Sequence, residues 1–182
     1  MSTTNFNVTR RSCSKCLDKP CRRVLLFPSM SLDDFYPFEP REATELSLIP
    51  LRVRYRLDCA GVRLRLGQWQ AMTPEEKVAL LQLPVATPED LDAYRAALRR
   101  MADRQGVTLL ADTSGTGNEE WRHGEAWPAV VISQCEAQGL PLPPVSHWQA
   151  LAEPDRHAMF VLARSNHSQT EFLAAISLFC AR

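Results

Sequence analysis

Cys13, Cys16 and Cys21 are the residues whose type and spacing come nearest to chemistry, as Cys-x2-Cys-x4-Cys. Thiolates at such intervals can share one zinc ion or an iron–sulfur cluster, and flanking cations (Arg10, Arg11, Lys15, Lys19, Arg22, Arg23) favour the thiolate form. A closed site needs a fourth ligand, and none follows nearby. The first three positions match a zinc knuckle, but no His or Cys stands where that motif would finish. Two readings follow: a thiol-based metal or cluster carrier, or a featureless basic arm.

The remaining candidates are plainer. Cys59, Cys135 and Cys180 sit at or near expected helix ends among apolar neighbours, which is the setting of buried structural thiols. Of His123, His147, His157 and His167, no pair has the i, i+4 spacing of a helical metal site, and no HExxH occurs. His157 is expected on a helix as a packed or surface residue. His167 lies in the Arg164–Ser168 loop just before a helix, a place suited to a partner contact or a cap. Phosphate-cradling glycine loops and the GxSxG elbow are absent, and Asp112, Glu119 and Glu120 have no positioned base or nucleophile beside them. The expectation is a protein that is no enzyme and carries no cofactor.

Composition narrows the partners. Lys+Arg and Asp+Glu balance at 21 each, so no net field recommends nucleic acid or a membrane. Arg95, Arg99, Arg100 and Arg104 give one expected helix a basic flank that mimics a helix-turn-helix, but its counterpart in the second half, QTEFLAAISLF, is not basic. No apolar run approaches the roughly 18 residues of a membrane helix. Six cysteines without an export signal read as thiols, and the expected location is the cytoplasm. Residues 1–34 form a leader whose first 31 residues carry six cations against Asp18 alone. It reads as a disordered arm, a targeting segment, or translation assigned upstream of a true start at Met30.

The elements that must position these residues are organised by a repeat. Gly61–Leu83, GVRLRLGQWQAMTPEEKVALLQL, returns as Gly139–Leu162, GLPLPPVSHWQALAEPDRHAMFVL. Trp69-Gln70-Ala71 answers Trp148-Gln149-Ala150, Lys77 answers Arg156, and Pro50 and Pro128 each precede their glycine by eleven residues. Two tandem helical repeats of about 50 residues follow, packed as one mainly α, pseudo-symmetric domain. The boundaries are 35–102 for the first repeat, 103–127 for a Gly- and Ser-rich linker, and 128–182 for the second.

Leu51, Val53, Tyr55 and Leu57 alternate with Arg52, Arg54 and Arg56, which taken locally is a strand. Pro50 at the first helical position and Gly61 just past the last favour a helix over Pro50–Ala60 instead, as Pro128 and Gly139 do around the non-alternating AVVISQCEAQ. Thr73-Pro74-Glu75-Glu76 starts a helix that stops at Pro84, and Thr87-Pro88-Glu89-Asp90 starts one through Met101. Helices over Glu153–Ala163 and Ser168–Cys180 take these roles in the second copy. Gly67–Met72 and Ser146–Leu151 read as single helical turns, with Trp69 and Trp148 as core anchors.

Phe38-Glu39-Pro40, the run Ile49 to Gly61, Leu64, Trp69, the run Leu83 to Glu89, and Tyr94 resemble the nitrate reductase-associated protein family of cyanobacteria and some other bacteria. Trp148, Arg156, Arg164, His167 and Phe172 continue the likeness, which covers about Phe35 to Phe179 and is strongest over residues 49–94. The tail from Leu178 and the cysteine-bearing leader depart from the pattern. The resemblance implies a partner, the catalytic subunit of assimilatory nitrate reductase (a molybdenum and iron–sulfur enzyme), and an accessory or maturation role without catalysis. A docking subunit of the reductase is the other role it allows. The sequence's own candidate contact residues are Arg52, Arg54, Arg56, Arg63 and Arg65, then Arg164 and His167. Their plainer reading is a solvated helix face.

Overall fold

Pro50 and Pro128 each occupy the N-cap of a helix, at φ −62° and −58°, one position earlier than the expected first turn. Their extended ψ suits a residue that has no N–H to donate and must lead the chain into a helix. The computed structural model describes residues 30–111, 119–165 and 168–180. After a 3-10 turn at Leu32–Asp34 come α1 (Arg41–Thr44), α2 (Leu51–Ala60), strand β1 (Val62–Arg63), α3 (Leu66–Gln70), α4 (Pro74–Gln82), α5 (Pro88–Gln105) and strand β2 (Leu110–Ala111). A second 3-10 turn, Glu120–Arg122, precedes α6 (Ala129–Ala137), α7 (Val145–Ala150), α8 (Glu153–Arg164) and α9 (Gln169–Cys180). The protein is mainly helical.

Local chemistry sets the helix ends. Thr73 and Thr87 cap α4 and α5 with reciprocal bonds: each hydroxyl accepts the N–H three residues on, while Glu76 and Asp90 accept the threonine N–H at 2.7 and 3.0 Å. Gly61 ends α2 at φ 65°, a left-handed conformation in which a Cβ would be strained. That turn keeps α2 from continuing into the Val62–Leu66 alternation. Only Val62 and Arg63 are strand, and they pair antiparallel with Ala111 and Leu110 rather than with α2. α5 runs four residues past its expected end, because the first residue that closes it with a left-handed turn is Gly106.

Two apolar clusters form the core. One gathers Val53, Leu57, Trp69, Leu80, Leu81, Tyr94 and Leu98 from α2 to α5. The other gathers Val131, Cys135, Trp148, Met159, Phe172 and Phe179 from α6 to α9, joined by Tyr36 and Leu51. α2 packs against α4 and α5 on one side and against α8 on the other. The stretch read as linker contributes to this packing: Trp121 and Trp127 are both buried, and Arg156 Nε donates to the Trp121 carbonyl at 3.0 Å. Residues 112–118 of that stretch lie outside the described residues.

Candidate functional site

Because α2 is a helix, its three arginines do not share a face. Residues two apart are turned by about 200° and residues four apart nearly eclipse, so Arg52 and Arg56 lie together with Arg54 opposite. Arg52 and Arg56 are half-buried braces. The Arg52 guanidinium stands 4.7 Å over the Tyr36 ring, and Arg56 donates from Nε to the Leu83 carbonyl at 2.9 Å and from Nη1 to the Arg52 carbonyl at 3.0 Å.

Arg54 is exposed and tethered at one point only, where its Nε donates to the Ile49 carbonyl at 3.2 Å. Among the described residues its two terminal nitrogens enter no ion pair within 4 Å. Two depressions adjoin at this side chain. The smaller, about 130 Å³, is walled by Phe38, Ala43, Leu48 and Leu162, with Ser168 and Glu171 at its far end. The larger, about 310 Å³, is walled by Leu57, Asp58, Val62, Arg63, Leu64 and Leu66. Leu48, Ile49, Arg54 and Val161 belong to both, so the two form one groove with Arg54 at its middle.

The two carboxylates that act electrostatically on Arg54, Glu39 and Asp58, take their hydrogen bonds from other groups. Glu39 accepts the Leu51 N–H at 2.7 Å and the Tyr36 N–H at 2.8 Å, supplying the α2 cap that Pro50 cannot. Burial pushes its carboxyl pKa up against the pull of those two bonds. Asp58 accepts from Nε2 of His157 at 2.7 Å.

The groove thus brings Arg54 and Arg63 together, and Ser165 and Ser168 of the Arg164–Ser168 loop line its smaller end. Arg52, Arg56 and Arg65 lie off it. Arg65 is exposed at the N-cap of α3, where its N–H donates to Gln68 Oε1. Arg164 is exposed at the end of α8, its guanidinium 5.4 Å from the Phe160 ring centre. His167, Cys13, Cys16 and Cys21 lie outside the described residues.

Sequence reasoning passed over Glu39 and Asp58, although each stands in a stretch that carries the family resemblance. It also passed over a third concavity, about 440 Å³, walled by α5 and residues 60–62 and 107–109. Its Arg95 is committed to the Ala60 carbonyl and to Asp92. Burial pushes the Cys59, Cys135 and Cys180 thiols above their ordinary pKa, which suits packing rather than nucleophilic attack. Among the described residues no three His, Cys, Asp or Glu side chains are placed to hold a metal ion, and no helix is long and apolar enough to cross a membrane.

Comparisons with curated proteins and with solved structures returned no match. Residues 35–179 match a family described as conserved nitrate reductase-associated protein. That span takes in α1 to α9 but for the last residue of α9, together with the whole groove, so the chain belongs to the nitrate reductase-associated protein family.

Proposed function

We propose that this protein is a non-enzymatic accessory factor of the cyanobacterial type. It binds the catalytic subunit of assimilatory nitrate reductase and supports its maturation, cofactor loading or stability in the cytoplasm. The family's description, nitrate reductase-associated, supports nitrate reductase as the partner. The observation that carries the mode of action is the groove at Arg54, a mixed channel in which Leu, Ile and Val walls also carry Arg54, Arg63, Glu39, Asp58 and Glu171. Such a feature favours contact with another protein over turnover of a small molecule. A maturation factor works by differential affinity, holding an apo or open form of the enzyme and releasing the finished one. Arg54 is the first contact we assign, with Arg63 beside it and Ser165 and Ser168 at the smaller end.

We also read the chain as the product of a duplicated unit of about 50 residues. In support, helix, short helix, helix, helix recurs as α2–α5 and α6–α9. Trp69 and Trp148 each donate from Nε1 to a carbonyl more than 20 residues upstream, Leu46 and His123. The main helix contacts of the halves are unequal, since α2 packs on α8 with no α4–α6 counterpart among them. Duplication in sequence is therefore the claim, with any two-fold relation loosened in packing.

Deletion of the gene in its native host, with nitrate reductase activity and reductase polypeptide followed together, tests the function. Activity lost while the polypeptide persists is the expected result. Normal activity in the deletion strain would overturn it. A stoichiometric complex with fully active reductase would replace the maturation role by that of a docking subunit.

A further inference from the structure

Resting on the reading above, we propose that residues 140–145 form a polyproline II strip that seats in a neutral, aromatic-lined groove on the reductase polypeptide. The segment reads Leu-Pro-Leu-Pro-Pro-Val. Pro141, Pro143 and Pro144 hold their own φ at about −65° and keep Leu140, Leu142 and Pro143 out of the α region, so the backbone is extended before any tertiary contact forms. Pro144 stands at φ −51° and ψ 144°, close to the roughly −75° and 145° of a polyproline II helix. None of the six residues lines the Arg54 groove, so the strip is a second contact set apart from it.

Burial along the strip follows the three-residue turn of that helix. Leu140 and Pro143 are half-buried: Leu140 packs on the second apolar cluster, and the Pro143 carbonyl accepts from Trp127 Nε1 at 2.9 Å. Pro141 and Pro144, three residues apart, are exposed on a second ridge. Leu142 and Val145 stand 41% and 42% exposed on the third. One ridge thus moors the strip while two face outward, which is how a Pro-x-x-Pro segment meets a groove of aromatic rings. The proline rings and the Trp127 bond fix the backbone, so little conformational entropy is left to lose on docking.

What the strip lacks selects its occupant. Residues 137–146 carry no charge, so a strongly basic or acidic surface has nothing to pair with there. Three prolines remove three N–H donors, so an added β-strand has no ladder to complete, whereas Val62–Arg63 at the matching place in the first half keep their donors and pair with β2. No Lys, Arg or Trp stands within 137–146 to anchor it in a lipid interface. A second copy of this chain offers no seat either, because no aromatic ring is exposed among the described residues. The faces of Trp or Tyr rings on another protein are the complement that remains for ridges of proline, leucine and valine.

The test measures binding of the full-length chain to the purified reductase catalytic polypeptide. The double variant Leu142→Asp with Val145→Asp should weaken binding about tenfold or more. Pro141→Ala, which loosens the strip, should weaken it about two- to fivefold. Leu173→Asp, at an exposed apolar site on α9, should leave it unchanged. A photo-crosslinking residue in place of Leu142 should capture a reductase peptide that contains Trp, Tyr or Phe. Undiminished binding by a folded double variant would overturn the strip while leaving the accessory role standing. A captured peptide without an aromatic residue, or an equal loss in Leu173→Asp, would do the same. Self-association of the parent chain that the double variant abolishes would give the strip to a second copy and overturn the proposal. Absence of any binding by the parent chain would overturn the role itself, and the strip with it.

Discussion

His157 and Asp58 join the two halves of the protein through one hydrogen bond: Nε2 of a fully buried imidazole, on α8, lies 2.7 Å from Oδ2 of a carboxylate on α2. The ring packs edge-on in a three-ring cluster, its centre 4.9 Å from that of Trp121 at 88° and 5.5 Å from that of Tyr55 at 69°, with Tyr55 and Trp121 themselves 5.6 Å apart. With the carboxylate accepting, the proton belongs on Nε2, and Nδ1 has no partner among the described residues. Asp58 is only partly buried and walls the groove, so the bond fixes the α2–α8 crossing from which the groove is built.

His157→Ala should therefore be among the more costly single changes. It removes a buried ring packed against two aromatics and leaves Asp58 without its donor, a loss of about 2–4 kcal/mol. Asp58→Asn keeps an acceptor and faces water on one side, so about 1 kcal/mol or less is expected. Urea midpoints at constant slope would measure both. A His157→Ala protein with the parent's midpoint would mean that the α2–α8 contact is held by other groups.

Glu39 holds the first turn of α2 and the 36–39 turn at once. Glu39→Ala strands the Leu51 and Tyr36 N–H groups and should cost about 1–3 kcal/mol, with fraying of the turn that carries Arg52 and Arg54. The pH dependence has a definite sign. Burial raises the folded-state pKa, so the folded form binds this proton more tightly than the unfolded form. The resulting stability is present below the ordinary Glu pKa and is lost as pH rises through the raised one. Glu39→Gln should remove that component. Stability curves of the two proteins that stay parallel across the acid range would refute it.

Much of this architecture was legible because its cues are local. Thr73 with Glu76, and Thr87 with Asp90, announce helix starts by side-chain bonds three residues apart. The Gly61 turn likewise decides that α2 is a helix despite its alternating arginines. The site was less legible. Read as a row, Arg52, Arg54 and Arg56 look equivalent, whereas helical geometry separates Arg54 from two arginines spent on carbonyls and a ring. The roles of Trp121, His157 and Glu39 depend on partners 12 to 99 residues away, which no local pattern encodes. A Gly-rich neighbourhood made Trp121 look like linker, although it is 1% exposed.

Thiol chemistry gives a third expectation. Cys59, Cys135 and Cys180 have pKa values raised by burial, so at a given pH less thiolate is present than on a free cysteine. Iodoacetamide adducts mapped by mass spectrometry should form at these three positions more slowly than on free glutathione. The midpoints of their pH–rate curves should lie above the ordinary thiol value. Fast labelling of Cys59 at neutral pH would point instead to an activated thiol beside Tyr55 and Arg122.

The two tryptophans give the test most specific to duplication. Trp69 and Trp148 are both fully buried, and each ties a short helix to an upstream carbonyl, at 3.0 Å to Leu46 and 2.9 Å to His123. Among the described residues Leu46 is the non-glycine residue with positive φ, 57°, and its left-handed turn accompanies a carbonyl that accepts from Trp69 in the core. Trp→Phe at either site keeps an aromatic ring but takes the donor from the upstream carbonyl, in a buried bond at Leu46 and a part-buried one at His123, and about 1–3 kcal/mol should be lost in each case. If the anchors do the same job in each half, the two variants should lose similar stability. Their effects should also add in the double variant, because the rings belong to separate clusters. A large loss at Trp69 with none at Trp148 would mean that the second anchor survives in sequence while its half is held together by α8 and α9 alone.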